Sequence, residues 1–483
     1  MKTDLHLLAR NIDTQSISPC NDAPTGAKIN RGEFAIYHMP HEISGMFSVD
    51  VTADEDTEIL LMFDEILRDG NRLDYRRFGA TGALLWRLPA GSHSLESFEP
   101  YSASYTGFYV LRGSVTVNNM KMIYFGADKP DVRLKNADPD LEKIFNAAVE
   151  TYRQNTFTLY MDCPSRERAG WLCDSFFTGR VEKALTGKSE IEHNFLENFL
   201  LPTSFDCIPD GMLPMCYPAD HYNGTFIPNW AMFYVIELCE YLERTGNRGL
   251  VDLAKDKISA LMRWFEKYEN EYSLLEKLDG WVFVEWSKSN ELTNDVNFPT
   301  NMLYAMTLRA VESLYGDKTA GEKAARIEKA INELSRIGIF YCDNALRGDD
   351  GQLHLSGKIT ETCQYYAFFC GTATPEENPE LWKTLLYDFG PQRVPGNGWP
   401  NLRPDAKHKN VYPSNAFIGD YLRLELLFRY GEHEKLIENI KGYFLDMART
   451  TGTLWENESP AGSCNHGFAS HVVYWLDKIG LVE

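Results

Sequence analysis

Apolar positions in the first 125 residues fall in short runs, several of which alternate with period two. FAIYHM (34–39), MFSVDVTA (46–53), EILLMFDEI (58–66), ALLWRLP (83–89), GFYVLRG (107–113) and MKMIYFG (120–126) are separated by Gly, Asp, Asn and Pro. Successive strand side chains point to opposite faces, so this pattern predicts an antiparallel β-sandwich. The charged turn at Asp74, Arg76 and Arg77 reads as a solvated connection.

The period changes near Asp138-Pro139, where a cap residue followed by proline marks a helix start. Twelve helices are predicted from there: 139–156, 174–186, 189–201, 228–246, 248–271, 299–315, 319–336, 358–370, 377–388, 412–430, 432–449 and 464–479. Breaks such as RTGNRG, LYGDKTAG and RYGEHE place Gly where a helix C-cap wants it. Twelve helices in pairs point to six hairpins closed in a ring; a superhelical array and a plain bundle are the alternatives. No repeated sequence period is evident, which disfavours the array. The predicted organisation is therefore a β-sandwich over 1–127, a linker over 128–138 and an all-α domain over 139–483.

In a ring of hairpins, a site belongs on the loops at one end of the inner helices. The segments 157–173, 202–227, 272–298, 389–411 and 450–463 are long, aromatic and polar. Connections of that length inside a compact domain are usually functional.

Composition narrows the chemistry. The 483 residues carry a formal charge of −21, whereas a nucleic-acid partner needs clustered Lys and Arg. No apolar run approaches the roughly 18 residues of a membrane span, and the N-terminus lacks a signal-peptide core, so a cytoplasmic location is expected. Ten scattered cysteines fit reduced thiols. No CxxC, HExxH, phosphate-binding glycine loop or placed Ser/Cys triad occurs, so no metal or other cofactor is expected. Aromatic residues reach 13%, with 10 Trp and 25 Tyr, which suits packing and also a carbohydrate cleft.

The densest chemistry lies in DCPSRERAGWLCD, 162–174. Asp162, Glu167 and Asp174 stand among Arg166 and Arg168, beside Gly170 and Trp171. Charges at that density are costly to bury unless they pair or react. Glycoside hydrolysis requires a protonated carboxylic acid at the leaving oxygen and a second carboxylate as base or nucleophile. Glu167 is the candidate acid, and its protonation near neutrality requires the two arginines to turn toward the aspartates. A salt-bridge cluster that merely holds the turn is the other reading. Glu456, in TLWENES, is the candidate second carboxylate, with Glu458 as its competitor. Asn465 and His466 follow at the start of the last helix, where a capping role competes with ligand contact. Trp171, Trp230 and Glu285-Trp286 lie near helix ends, and Trp399 is a candidate for the pocket rim.

DCPSRERAGWLCD resembles the signature of the bacterial α-L-rhamnosidases, glycoside hydrolase family 78. TLWE at 453–456 followed by GSCNHGF at 462–468 resembles that family's C-terminal pattern, and PNW (228–230), EWS (285–287) and TETCQ (360–364) fall in the family's order. The resemblance covers roughly 140–483. It implies an (α/α)6 barrel and an inverting mechanism, with Glu167 as general acid and Glu456 as general base. Asp162, Trp171, Asp174, His466 and Trp230 match sugar-binding positions, and Arg166, Glu285 and Trp286 complete the candidate substrate-binding set. Leu172-Cys173 departs from the usual Thr-Gly, and EWS from an Asp-Trp pair.

The resulting expectation is an exo-glycosidase removing terminal α-L-rhamnose from glycosides or oligosaccharides. Its partner would be a rhamnoside, with no nucleic acid or membrane and with an oligomer possible. The alternatives are a glycosidase of this fold acting on another sugar, an eliminating lyase, and a sugar-binding protein without turnover.

Overall fold

Alternating burial along β2 (Phe34–Ala53) shows how the apolar period builds the N-terminal region. Phe47, Val49 and Val51 face the core, while Ser48, Asp50 and Thr52 lie between them on the other face. The computed structural model describes residues 26–68, 72–77, 79–135, 138–219, 223–393 and 407–483. β1 (Ala27–Asn30), β2, β3 (Thr57–Asp64), β6 (Ala83–Leu88), β7 (Gly91–Glu96), β8 (Tyr101–Arg112) and β9 (Ser114–Tyr124) form one antiparallel sheet. The short pieces β4 (Leu67–Arg68) and β5 (Arg72–Leu73) pair with each other.

The sheet runs β1–β9–β2–β8–β3–β6, with β7 also on β2. β2 pairs with β8 through its first half and with β7 and β9 through its second. One apolar cluster joins Ile59, Leu61, Phe108 and Val110 to Phe47, Val49, Val51, Val115 and Val117. The sheet is thus doubled over its own core as a sandwich.

The sequence divides 34–39 from 46–53, but the structure joins them in one strand. The interruption at Pro40-His41-Glu42 is a register shift between His38 and Ile43, not a turn. It turns Glu42 outward to the helical domain, where the Glu42 N–H donates to Thr451 O at 2.9 Å. The turn at 74–77 also differs from expectation. The Arg77 side chain is fully buried against Asp64 and Glu65, because two carboxylates and two carbonyls supply acceptors for its guanidinium.

Twelve α-helices follow among the described residues: α1 (Pro139–Gln154), α2 (Asp174–Thr186), α3 (Glu190–Asn198), α4 (Pro228–Thr245), α5 (Arg248–Glu266), α6 (Phe298–Tyr315), α7 (Lys318–Leu334), α8 (Glu361–Phe369), α9 (Pro379–Asp388), α10 (Tyr421–Arg429), α11 (His433–Thr450) and α12 (Val472–Lys478). Gly246 and Gly316 take left-handed φ of 70° and 71° as the C-caps of α4 and α6, which lets the chain reverse within a few residues. Helices α2, α4, α6, α8 and α10 are buried nearly all round, whereas α5, α7, α9 and α11 bury one face. Alternate helices therefore line the inside and outside of a six-hairpin ring. The C-terminus closes it: Arg133 and Glu483 exchange backbone hydrogen bonds at 2.9 and 3.0 Å.

Two predicted helices are shortened at their starts. The span 412–430 breaks at Phe417 (φ −112°, ψ 105°), and regular helix begins only at Tyr421. The span 464–479 opens with a tight turn over 467–471 before α12. Both irregular starts lie at one end of the ring.

Candidate functional site

The loop between α1 and α2 closes on itself at Asp162. Its N–H donates to Ala169 O at 3.1 Å, and its Oδ1 accepts from Ala169 N at 2.9 Å. That closure throws Arg166, Glu167 and Arg168 onto the bend. Gly170 is required by close approach, because a Cβ there would lie 2.5 Å from Tyr217 O. Asp174 is the first residue of α2, where the helix dipole favours negative charge.

The second loop supplies Glu456. Its N–H donates to Ser463 O at 2.9 Å, and Ser463 N–H returns a bond to Glu456 Oε2 at 3.1 Å. His466 N–H donates to Leu454 O at 3.0 Å, which fixes the far end of this turn. The His466 ring does not cap the following turn; Nε2 lies 3.1 Å from Asp174 Oδ1, and Nδ1 lies 3.9 Å from Glu456 Oε2.

These two loops face a cavity of about 480 Å³, within the ~300–1,000 Å³ range of small-molecule sites. Asp162, Arg166, Glu167, Asp174, Glu456 and His466 make its charged wall. The opposite wall is aromatic: Trp230 packs on Phe283 at 4.9 Å and on Phe417 at 5.8 Å, while Trp286 packs on Phe283 at 4.8 Å and on Trp281 at 5.7 Å. Trp171 also lines it, and Trp286, 42% exposed, stands at the mouth.

One guanidinium spans both glutamates. Arg166 Nε lies 3.1 Å from Glu167 Oε2, and Arg166 Nη2 donates to Glu456 Oε2 at 2.9 Å. Contacts that short to one planar group hold the two carboxylates beside a single cation on the same cavity wall. The arginines therefore do not turn to the aspartates as the sequence reading requires. Arg166 serves the glutamates, and Arg168 leaves for the sheet, donating to Glu99 at 2.7 Å and to Pro100 O at 2.9 Å.

The electrostatic consequences are uneven. Burial pushes Asp162 up to about 7, and the neighbouring Glu167 charge adds to this. Glu167, with 30% of its side chain exposed, is raised by burial but held below its ordinary value by Arg166 and by a hydrogen bond with Asp162. His466 is lowered by burial yet raised overall by the Asp174 hydrogen bond and by Glu456, Asp174 and Asp162.

Asp162, Cys163 and His466 could offer three ligand atoms within 4.8 Å of one another. Burial raises the Cys163 thiol well above its ordinary range, so a metal would have to displace a tightly held proton.

Glu285 is the candidate that the cavity does not receive. It is buried behind the aromatic wall, where Oε1 accepts from Asn415 N at 3.0 Å and Gly419 N at 2.6 Å, and Oε2 accepts from Thr362 Oγ1 at 2.5 Å. These bonds satisfy the backbone of the break that presents Phe417. Glu458 is likewise elsewhere: it lines a neighbouring cavity with Glu361 and Arg393 and hydrogen-bonds with buried Asp420. Asn465 is tied to Gln154 at 2.9 Å and Asn155 at 2.7 Å, as cross-bracing. Trp399 lies outside the described residues.

Sequence reasoning missed Met215, Ile227, Trp281, Phe283 and Phe417 as lining residues. The alternating aromatics of WVFVEW (281–286) carry a signal for Trp281 and Phe283. Phe417 carries none, since it sits inside an apolar run that reads as continuous helix.

Comparison with known proteins gives the same architecture. No curated protein matches the chain. A family 78 rhamnosidase of Bacillus sp. GL1 superposes with a TM-score of 0.78 at 19% identity, over 92% of this chain and 46% of the other. The chain thus spans about half the length of that relative. A Klebsiella oxytoca rhamnosidase with rhamnose bound gives 0.74 at 16% identity, over 94% and 89%. A Streptomyces avermitilis α-L-rhamnosidase complexed with L-rhamnose gives 0.63 at 16%, over 94% and 43%. Residues 132–335 match the family model of the bacterial α-L-rhamnosidase six-hairpin glycosidase domain, and this stretch of the chain is similar to that domain.

Proposed function

We propose that the chain is an inverting exo-glycosidase acting on terminal α-L-rhamnosyl residues, with Glu167 as general acid and Glu456 as general base. The observation that carries the reading is the placement of these two glutamates on one cavity, linked through Arg166 and opposed by an aromatic wall. Sugar C–H faces pack on such rings, and apolar lining residues such as Met215, Ile227 and Phe283 suit a methyl group better than a hydroxymethyl. Rhamnose bound in the Klebsiella and Streptomyces relatives supports the same sugar. In this reading residues 1–127 form a sandwich domain, 128–138 a linker and 139–483 the catalytic domain.

Asp162, pushed up to about 7 by burial, supplies the proton of the Asp162–Glu167 pair, while Arg166 holds Glu167 below its ordinary value. Burial keeps that proton in the pair, and Glu167, the more exposed member, delivers it to the leaving oxygen. Glu456 takes a proton from a water as the water oxygen attacks the anomeric carbon from the other side. The carbon–oxygen bond to the leaving group breaks and a new one forms to water, with inverted configuration. Asp174, His466, Trp171, Trp230 and Trp286 hold the sugar.

A second reading, sugar binding without turnover, is favoured by the tie of Arg166 to Glu167. A panel of aryl glycosides with proton NMR of the first released anomer separates the readings. Release from the α-L-rhamnoside as the inverted β-anomer supports the proposal. Retention overturns the mechanism, and tight rhamnose binding with no release from any glycoside overturns the activity.

A further inference from the structure

Every described residue lining the sugar cavity comes from the helical domain, yet buried charges of the N-terminal sheet reach the loop that holds Glu456. Arg77, on the turn after β5, donates through Nη1 to Pro460 O at 2.9 Å and to Gly462 O at 2.7 Å. Its Nε donates to Asp64 at 2.9 Å, and its Nη2 pairs with Glu65. Glu65 grips the same loop: Oε2 accepts from Cys464 N at 2.8 Å, and Oε1 from Ser463 Oγ at 3.3 Å. The Glu42 carboxylate, from the irregularity in β2, accepts from Thr453 Oγ1 at 3.1 Å. Both ends of 453–464 are therefore fastened to the sheet.

The fastening leads directly to the carboxylate. Ser463, between the residues that Arg77 and Glu65 bind, donates its N–H to Glu456 Oε2. Gly462 lies so close that a Cβ there would stand 2.5 Å from Glu456 Oε2. The helical domain holds the other parts of the loop, through Thr151 on Leu454 N and Asn415 on Glu458 N, so the stretch 460–464 next to Glu456 depends on Arg77 and Glu65.

We infer that Arg77 and Glu65 are positioning residues for the base, so that the N-terminal sheet completes the catalytic site without touching the sugar. The inference rests on the proposed role of Glu456. A base must sit within hydrogen-bond reach of the attacking water, and a displacement of about 1 Å costs on the order of 100-fold in rate. The sugar walls do not depend on Arg77, so its loss acts on kcat and leaves KM nearly constant.

The test compares wild type with Arg77→Gln, Arg77→Lys and Gly462→Ala on an aryl α-L-rhamnoside. Thermal unfolding and circular dichroism establish that each variant is folded. Arg77→Gln is expected to lower kcat about 10- to 100-fold with KM within about twofold, as Glu456 loses its Ser463 hydrogen bond and with it its place beside the attacking water. Arg77→Lys keeps the charge beside Asp64 and Glu65 but cannot span two carbonyls, so it recovers part of the loss. Gly462→Ala leaves the sheet intact and gives the same signature from the other side. Hydrogen exchange of 456–464 should quicken in the Arg77 variants while 162–174 is unchanged. A folded Arg77→Gln with wild-type kcat, a KM that rises in step with the loss of kcat, or unchanged exchange in 456–464 overturns the inference. A wild type without turnover overturns the functional reading instead, and the exchange data still decide whether Arg77 holds the loop.

Discussion

Glu167 and Glu456 share one cation: the Arg166 guanidinium meets the first at 3.1 Å and the second at 2.9 Å. Lysine, a compact point charge, cannot serve both. Arg166→Lys is therefore expected to lower kcat about 10²-fold through lost positioning. Without the delocalised charge beside it the Glu167 carboxyl rises, so the high-pH limb of the kcat/KM profile moves up with the acid. A high-pH limb that stays in place while kcat falls would separate Arg166 from proton donation by Glu167.

The roles of the two glutamates differ in their dependence on the leaving group. A p-nitrophenolate leaves with little protonation, whereas a flavonoid or sugar alcohol does not. Glu167→Ala should keep most of its activity on the aryl rhamnoside and lose about 10²–10⁴-fold on the natural glycoside. Glu456→Ala should fail on both, because water must be activated in either case. Equal losses for both variants on both substrates would reject the assignment.

Asp162 has a folded pKa of about 7, above its ordinary 3.8. A raised acid favours the protonated, folded form, so its contribution is full below the unfolded value and is lost as pH rises through 7. The slope is at most about 1.4 kcal/mol per pH unit. Asp162→Asn mimics the protonated acid, still accepts from Ala169 N and can donate to Glu167. Urea unfolding at pH 5 and pH 8 should show a smaller loss of stability in the variant than in wild type, while kcat falls because the shared proton is gone. A variant that loses as much stability as wild type between those pH values would mean that Asp162 is already ionised at pH 5.

What was legible in the sequence is what is local. The acid loop packs three carboxylates, two arginines and a Gly-Trp pair into thirteen residues, and the helices announce themselves through amphipathic runs, several of them ended by glycine. Arg77 was not legible as a buried residue, because its acceptors at Pro460 and Gly462 lie nearly four hundred positions away. Nor was the break at Phe417, where local propensity favours helix and four hydrogen bonds centred on Glu285 and its neighbours impose another path. Glu285 itself was read as a sugar contact from its place beside Trp286. Its chain neighbour faces the cavity mouth, whereas its own carboxylate turns inward to unpaired backbone.

Glu285 accordingly separates scaffold from substrate contact. Its carboxyl is pushed up to about 7 by burial, against the pull of Ser287, Thr362, Asn415 and Gly419. Glu285→Gln is nearly isosteric: the amide oxygen can keep the two backbone bonds, and the hydroxyls of Ser287 and Thr362 can rotate to accept from the amide NH2. The variant should keep KM and kcat within about threefold of wild type, since no bond to sugar is removed. Above pH 7 wild type carries a buried charge there and the variant does not, so the stability difference should shift in favour of Gln as pH rises from 5 to 8. Glu285→Ala leaves two backbone N–H groups unpaired at the break and is expected to cost about 2–5 kcal/mol in stability, with KM rising as Phe417 loses its place. A large rise in KM for Glu285→Gln with unchanged stability would return Glu285 to the sugar site.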